Sequence, residues 1–577
     1  MLYQLIFLVS GYSRRGLLVF LTLALAACGG GGGSDSGNGG SPVVSSREPE
    51  RPRLSFPDST LAEDYTIYIA DEQRLNQQEL YIARAGSVPR VIATSQIDRL
   101  PDTEASAVVY AKVSPTKQII GYVGDQEVND RCELFIVSAT SEENSRVSNN
   151  FNKPGGVTDF TFSNNGRRIA YALHRRTNST TCQASPGITT DGTLETDLFL
   201  MNANGDQRQQ ILPATANTNR SFRNLAYSAT DTFVAYVSET TPGGDSELVI
   251  LRDQDPDNIV RIQSVTGVNS STGAPIEGRL NILEAKWSST SDIIAFRARL
   301  GDSEGLFTAS FSNPQPRLIS GPLTPGFGPA DFVWEPQGSR IAYLSNVASE
   351  QARNYDVFVV NSQGGESTLI TPDLDNIAYF EGNYVNLAWS NNSETIAYLV
   401  NNGGEFDRHD LYLSTTTPGS EINVTENFGI AENENSFDVF PGFSWTLDDS
   451  GRDALAFAAD GITNNNYDLY TVEVGGGTTD STMPLSQGLT EGPTDDVLVP
   501  QWTVNAEAIQ YLAGQVEGAA KVDLDLYQAR ATMPTVVEEA RLSNTRSGRG
   551  FSVECFAVAI EGNNSFCNPF LTLTDPH

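Results

Sequence analysis

Histidine is nearly absent. Three occur in 577 residues, His174, His409 and His577, so a histidine-rich metal centre is excluded and any imidazole-dependent triad must use His174 or His409. Basic residues are also few: 37 Lys and Arg stand against 71 Asp and Glu, a formal net charge of −34. Binding to a polyanion needs clustered positive charge, so no nucleic-acid partner is expected. Charged residues make up only 19% of the chain, too few for a coiled coil or a charge-driven disordered chain. No Gly-x-Ser-x-Gly elbow, Walker loop, zinc-type histidine pair or CxxC motif occurs, and no catalytic assignment follows. What is abundant is glycine, 50 residues, with 27 Phe and 20 Tyr. That is the composition of a turn-rich, aromatic-rich β protein, long enough for three or four ordinary domains or one large repeat architecture.

The N-terminus reads as an address. Arg14 and Arg15 precede an apolar run, Gly16–Ala27, which is too short for a comfortable membrane span. The run ends in Leu25-Ala26-Ala27-Cys28, which resembles the lipobox of bacterial lipoproteins. The resemblance implies a signal peptide over residues 1–27 and a lipid on the Cys28 thiol. A tether over residues 28–52 follows, opening with Gly29 to Gly33, and such chains behave as flexible coils. Gly29 rather than Asp after the cysteine resembles the outer-membrane class of enterobacterial lipoproteins. The expected location is therefore the outer membrane, facing the periplasm or the cell surface.

Internal similarity sets the fold expectation. All five tryptophans sit in one setting: AKWSSTSDIIAF, FVWEPQGSRIAY, LAWSNNSETIAY, FSWTLDDSGRDALAF and PQWTVNAEAIQY, anchored at Trp287, Trp334, Trp389, Trp445 and Trp502. Three earlier segments carry the pattern with another anchor, Val113, Phe162 and Tyr227. Successive anchors lie 49, 65, 60, 47, 55, 56 and 57 residues apart. A weaker first copy begins at LSFPDS, around Phe56. Each anchor segment is followed by an acidic residue or glycine and an alternating run, from ELYIAR at 79 through DLFLMN at 197 to DLYQAR at 525. Nine units are counted, each with about four short β-branched or aromatic runs between Gly, Asn, Asp and Pro. Four strands per 40–60 residues predicts an all-β chain, a single β-propeller of four-stranded blades. The anchors are expected in the blade core, filling the wedge between sheets.

The segments Phe162 to Tyr171 and Asp197 to Gly205 resemble the TolB-like propeller repeat, and the resemblance covers residues 53–543. Residues 544–577 contain FSVECFAVAI and FLTLT, runs able to complete the first blade and close the ring. Eight and nine blades both remain open at this point.

Numbering the strands of each blade from first to fourth, the first–second and third–fourth turns share one end. They are short, such as SNNG, EPQG and NANG. The other connections vary widely in length, as a rigid scaffold with a binding rim would show. They hold Tyr379, Phe380, Glu381, Tyr384, Phe428 and Phe437, the candidate binding residues. Asp253, Asp255 and Asp257, and separately Asp460 and Asp468, present oxygens at alternating positions that would suit calcium, but neither group matches a full EF-hand loop, turn-forming Asp and Asn explain both without metal, and no cofactor is assigned. Cys132, Cys182, Cys555 and Cys567 remain after Cys28, an even number suited to an exported protein. Their places in the repeats favour Cys132–Cys182 and Cys555–Cys567.

The expected function is that of a monomeric, non-catalytic envelope lipoprotein. It would bind the membrane through its lipid, and an envelope protein or peptide through the long-loop face or central channel. The alternative is a propeller lyase or glycosidase using channel carboxylates, with calcium. Acids converging on the inner strands of three or more blades would favour the alternative.

Overall fold

In the computed structural model the chain divides into two units, Met1–Arg51 and Pro52–His577. The structure describes residues between Tyr65 and Cys567 apart from connecting segments, the longest being 94–107, 176–194, 427–437, 485–494 and 544–552. The first unit, with Cys28 and its lipobox, and Phe56 of the weak first repeat lie outside the described residues.

Pro52–His577 is a nine-bladed β-propeller of antiparallel sheets. Blades 3 to 9 follow the chain, with first strands Gly155–Phe162, Ser221–Tyr227, Asn281–Trp287, Pro329–Trp334, Leu387–Trp389, Val439–Leu447 and Asp495–Trp502. Blade 1 is built from both ends of the unit. Thr66–Ala70, Glu79–Ala83 and Arg90–Ala93 supply its second to fourth strands, and Val553–Val558 supplies the innermost one. Thr66 pairs with Val558 and Ile69 with Cys555. The tail therefore closes the ring, and the count is nine rather than eight. Blade 2 begins at Val108–Val113 and carries a fifth strand, Phe566–Cys567, on its inner edge.

Two repeated contacts explain the sequence pattern. In eight blades an aromatic of the second strand stacks on the residue directly opposite it in the third, as in Tyr171 with Phe199 (4.9 Å between ring centroids) and Tyr343 with Phe358 (5.3 Å). These are the last residue of each IAY-type run and the aromatic of each DLY-type run, placed in register on one face. Blade 4 departs because Val249 stands opposite Tyr236, whose ring packs on Phe222 instead.

The second contact links blades. Every described anchor is buried or half-buried in the core. Four tryptophans also donate their indole N–H to the carbonyl just before the preceding anchor: Trp287 to Ala226, Trp334 to Lys286, Trp445 to Ala388 and Trp502 to Ser444, at 3.0–3.3 Å. The tryptophan thus fills the wedge and satisfies a donor there. Trp389 differs: its indole N–H has no hydrogen-bond partner among the described residues, and Arg340 lies over its ring at 5.0 Å. Trp389→Ala is expected to lower stability by about 3–5 kcal/mol. Trp389→Phe should avoid the loss of about 0.5–1.5 kcal/mol that a missing hydrogen bond adds at Trp334 and Trp502. Urea unfolding of the three Phe variants measures the difference, and an unaltered midpoint in Trp389→Ala would show that the ring is not core.

Candidate functional site

The two faces of the ring are built differently. On the short-turn face the residue after the anchor folds the turn back: Ser163 Oγ accepts from the Arg168 amide at 2.9 Å, Ser390 Oγ from Thr395 at 3.0 Å and Glu335 Oε1 from Arg340 at 2.8 Å. Gly166 and Gly338 adopt φ of 66° and 74° there, a conformation glycine reaches without strain. Each turn is then tied to the next blade. Asn165 donates to Asp231, Thr230 to Asp292, Ser289 to the Glu335 carbonyl, Arg340 to the Ser393 carbonyl and Asn391 to Asp453. A belt of turn-to-turn hydrogen bonds therefore runs from blade 3 to blade 8.

Asp453 is a buried carboxylate of this belt. It is 1% exposed, accepts from Asn391 on Oδ1 at 3.1 Å, and its Oδ2 has no partner among the described residues. Burial pushes its carboxyl above the usual range, while the amides of Asn392 and Asn391 and the Ser390 hydroxyl work against the shift. The native state thus holds this proton more tightly than the unfolded chain does. Its stabilising contribution is full below the unfolded value of about 4 and is lost as pH rises through the folded one. Asp453→Asn should be at least as stable as the parent at pH 7, with the advantage vanishing below about pH 4. Thermal unfolding across that window checks the sign, and a variant less stable at neutral pH would contradict it.

At the opposite end lie the long connections. Val157 N–H donates to the Cys132 carbonyl at 2.9 Å, so the start of a third strand meets the start of the next first strand, as the repeat pattern predicts. Between blades 7 and 8 this end carries a buried polar knot. Asp438 accepts from the His409 amide and contacts His409 Nδ1, both at 2.9 Å, while Tyr467 donates to its other oxygen at 3.2 Å. The Asp438 amide donates to Asp460, and Phe380 packs over the imidazole at 4.9 Å. One carboxylate thereby ties the third strand of blade 7 to the first strand of blade 8. His409 is a seam residue. His174 is likewise buried, in the second strand of blade 3.

Of the candidate binding residues, Tyr379 and Phe380 are half-buried and lean back onto the blades, Tyr379 against Tyr355 at 5.3 Å. Packing a ring against a blade removes apolar area from water and leaves the other face of each half-buried ring accessible. Glu381, Tyr384, Phe428 and Phe437 lie outside the described residues.

Asp253 and Asp460, two of the acids placed at alternating positions, have protein partners. Asp253 is 3% exposed and takes Arg168 Nε of blade 3 at 3.0 Å together with the Tyr227 hydroxyl at 3.0 Å. Its oxygens are used as an interblade clamp. Asp255 and Asp257 are exposed in the hairpin after it. Asp460 accepts from Asp438, and Asp468 stands opposite Ala459. Among the described residues no group of three His, Cys, Asp or Glu could hold a metal ion. Cys132 and Cys555 are disulfide-bonded. Cys182, the expected partner of the first, lies outside the described residues, and Cys567 is described by its backbone alone.

The inner edge holds what sequence reading missed. Three residues before the anchor stand Asp159, Glu284 and Asp331, on the first strands of blades 3, 5 and 6, and Asn386 on blade 7. Aligning the repeats on their anchors would have shown this column. The residue just before the anchor supplies countercharge. Lys112 reaches Asp159 at 3.0 Å, the Phe160 carbonyl and the Phe160 ring (5.2 Å) of the next blade. Lys286 repeats the geometry with Asp331 at 3.3 Å, the Phe332 carbonyl at 2.9 Å and the Phe332 ring at 4.8 Å. Lys286 also meets Glu284 at 2.8 Å. Burial works against its charge, yet the two carboxylates hold the ammonium above its ordinary range. Acids therefore do converge on three inner strands, each with a lysine against it.

No protein-family model and no curated protein matches the chain. Solved structures match at low identity. One is described as a eukaryotic initiation factor, at 12% identity and a TM-score of 0.49, covering 87% of this chain and 99% of that one. An oligogalacturonate lyase in complex with manganese matches at 14% identity and a TM-score of 0.36, covering 60% and 84%. TolB from Acinetobacter baumannii matches at 12% identity and a TM-score of 0.27, covering 52% and 62%. These neighbours include both binding proteins and enzymes.

Proposed function

We propose that the protein is a non-catalytic, lipid-anchored envelope protein whose TolB-like propeller binds an envelope protein or peptide through its long-loop face or central channel. The observation that carries this reading is the asymmetry of the ring. One face is tied turn to turn by its own hydrogen bonds from blade 3 to blade 8, whereas the other presents connections of unequal length on a rigid frame. Lys112 and Lys286 pair with the inner-edge acids, and acids on three inner strands are the feature that favours the alternative, a propeller lyase or glycosidase using channel carboxylates.

Photo-crosslinking residues in place of Val268 and Val385, both exposed on the long-loop face, should yield an adduct with an envelope protein in intact cells. The same residue at Gln337, exposed on the short-turn face, should not. Equal labelling from both faces, or none from either, would remove the reading. Cys28→Ser should release the protein from the membrane fraction. Non-reducing peptide mapping should recover Cys132–Cys182 and Cys555–Cys567, the bridges of the exported form.

A further inference from the structure

Between the fourth strand of blade 4, Asp255–Ile262, and the first strand of blade 5, the chain makes an arm on the long-loop face. Ser264–Val268 pairs antiparallel with Pro275–Arg279 in a two-stranded sheet of its own. One face of the arm packs on blade 5. Val265 and Leu280 are buried with Leu318, and Ile276, Leu300 and Leu323 pack against them. Asn269 pins the tip, its Nδ2 donating to the Gly321 carbonyl at 3.2 Å and its Oδ1 accepting from the Thr272 amide at 3.0 Å. The arm is therefore held in place on a rigid frame.

Its two edges differ. The Leu280 amide donates to the Gln263 carbonyl and the Asn269 amide to the Ala274 carbonyl, so the ladder closes at the odd-numbered residues of the outgoing strand. Ser264, Thr266 and Val268 then turn their N–H and C=O groups outward on one edge, and Pro275, Glu277 and Arg279 face outward on the other. The second edge is blunted by a proline without a donor and by two charges. The first carries neither. No described backbone hydrogen bond reaches its outward groups, and all three residues are exposed, Val268 at 58%.

No other described edge is left in this state. The first strands of eight blades break register against their neighbours, and that of blade 7 has three residues. The outer strands of blades 5, 6 and 7 have two residues each. Those of blades 1, 2, 4, 8 and 9 carry charge, at Arg90, Arg146, Asp255, Asp480 and Glu538 among others. That of blade 3 is bulged at Ile211. Shortness, charge and bulges are the devices that guard an edge against pairing, and Ser264–Val268 lacks all three.

We propose that Ser264–Val268 is a docking edge for an extended, uncharged, β-branched segment of another envelope protein, added to the arm as a third strand. The chemistry of the occupant follows from the edge. Strand addition is held by backbone groups, with side chains read at alternate positions, and the occupant would lie beside Thr266 and Val268, where β-branched neighbours pair well. Residues 263–276 carry no charge in a chain of net charge −34, so nothing on the arm's outgoing strand selects a charged segment. Two copies of so acidic a chain repel, which makes a different protein the occupant. This rests on the binding reading given above and adds to it the place, the mode of pairing and the chemistry of the segment.

The test uses the full chain and a fluorescent peptide, GSVTVTVSG. Thr266→Pro removes one outward amide and leaves the ladder to Pro275–Arg279 its bonds. Thr266→Lys places a guarding charge on the edge at an exposed position, and decides the matter if the proline variant unfolds. The parent should bind the peptide by fluorescence anisotropy, with the Thr266 and Val268 amides protected from exchange. Each folded variant should bind at least about tenfold more weakly. A parent that does not bind, or a Thr266→Lys variant with the parent's thermal midpoint and unaltered affinity, would overturn the proposal. So would concentration-dependent dimerisation of the parent that Thr266→Lys abolishes, since the occupant would then be a second copy. The experiment needs no envelope partner, so failure of the wider binding reading appears separately, as missing crosslinks at Val268 and Val385.

Discussion

Deleting residues 552–577 should abolish cooperative unfolding. The deletion removes Val553–Val558, the innermost strand of blade 1, together with the strand on blade 2. Thr66–Ala70 is almost wholly inaccessible, each residue at 0–1% exposure, and would become a bare hydrophobic edge. Phe556 would leave a cluster that joins Tyr68 and Tyr81 of blade 1 to Trp502 and Tyr511 of blade 9. A ring opened at that seam loses burial on two blades at once. The expected loss is on the order of the whole stability of a folded domain, about 5–15 kcal/mol. Near-UV circular dichroism and size exclusion would show a non-native, self-associating chain. A monomer with the parent's melting profile would mean that the ring does not depend on this strand.

The second large effect is expected at Asp253. Arg168 and Asp253 form an interblade pair with side chains 17% and 2% exposed, and Arg168 also reaches Asn202 at 3.1 Å. Asp253→Ala leaves the guanidinium and the Tyr227 hydroxyl facing a cavity without their acceptor, and breaking such a pair from one side costs about 3–5 kcal/mol. Asp255→Ala, two residues away and exposed, should change stability by no more than about 0.5 kcal/mol. The same two variants separate the clamp from a calcium site. Calcium should leave the midpoint of the parent unmoved, whereas a metal held by the alternating acids would stabilise it and make both variants costly. Denaturant unfolding with and without calcium decides between them.

The acids of the repeats show where sequence reading runs out. Many carboxylates that look available in the sequence are occupied across strands or blades. Glu133 meets Arg146 at 3.1 Å, Asp410 takes the Thr425 hydroxyl at 3.2 Å and Asp525 takes that of Ser543 at 2.8 Å. Each ties a third strand to the end of its own fourth strand or to the residues just after it. Composition registers such residues only as negative charge, because their partners lie 13–18 positions away and depend on how the hairpin twists.

What the sequence by itself determined is the blade. The anchor, the turn after it, and the paired aromatics of the second and third strands all lie within one repeat, and period-two alternation fixes the face each occupies. Repetition of that local pattern specifies four-stranded blades, and only the closing strand Val553–Val558 decides that there are nine. The tertiary structure alone decided how the sheets meet. Lys112 finds Asp159, and Lys286 finds Asp331, across 47 and 45 residues, because the turn from one blade to the next brings the residue before one anchor beside the third residue before the next. The closing strand is likewise a matter of the whole ring. Val553–Val558 is placed beside Thr66–Ala70 only after eight other blades have carried the chain around the axis, and no local pattern can say which edge a final strand will meet.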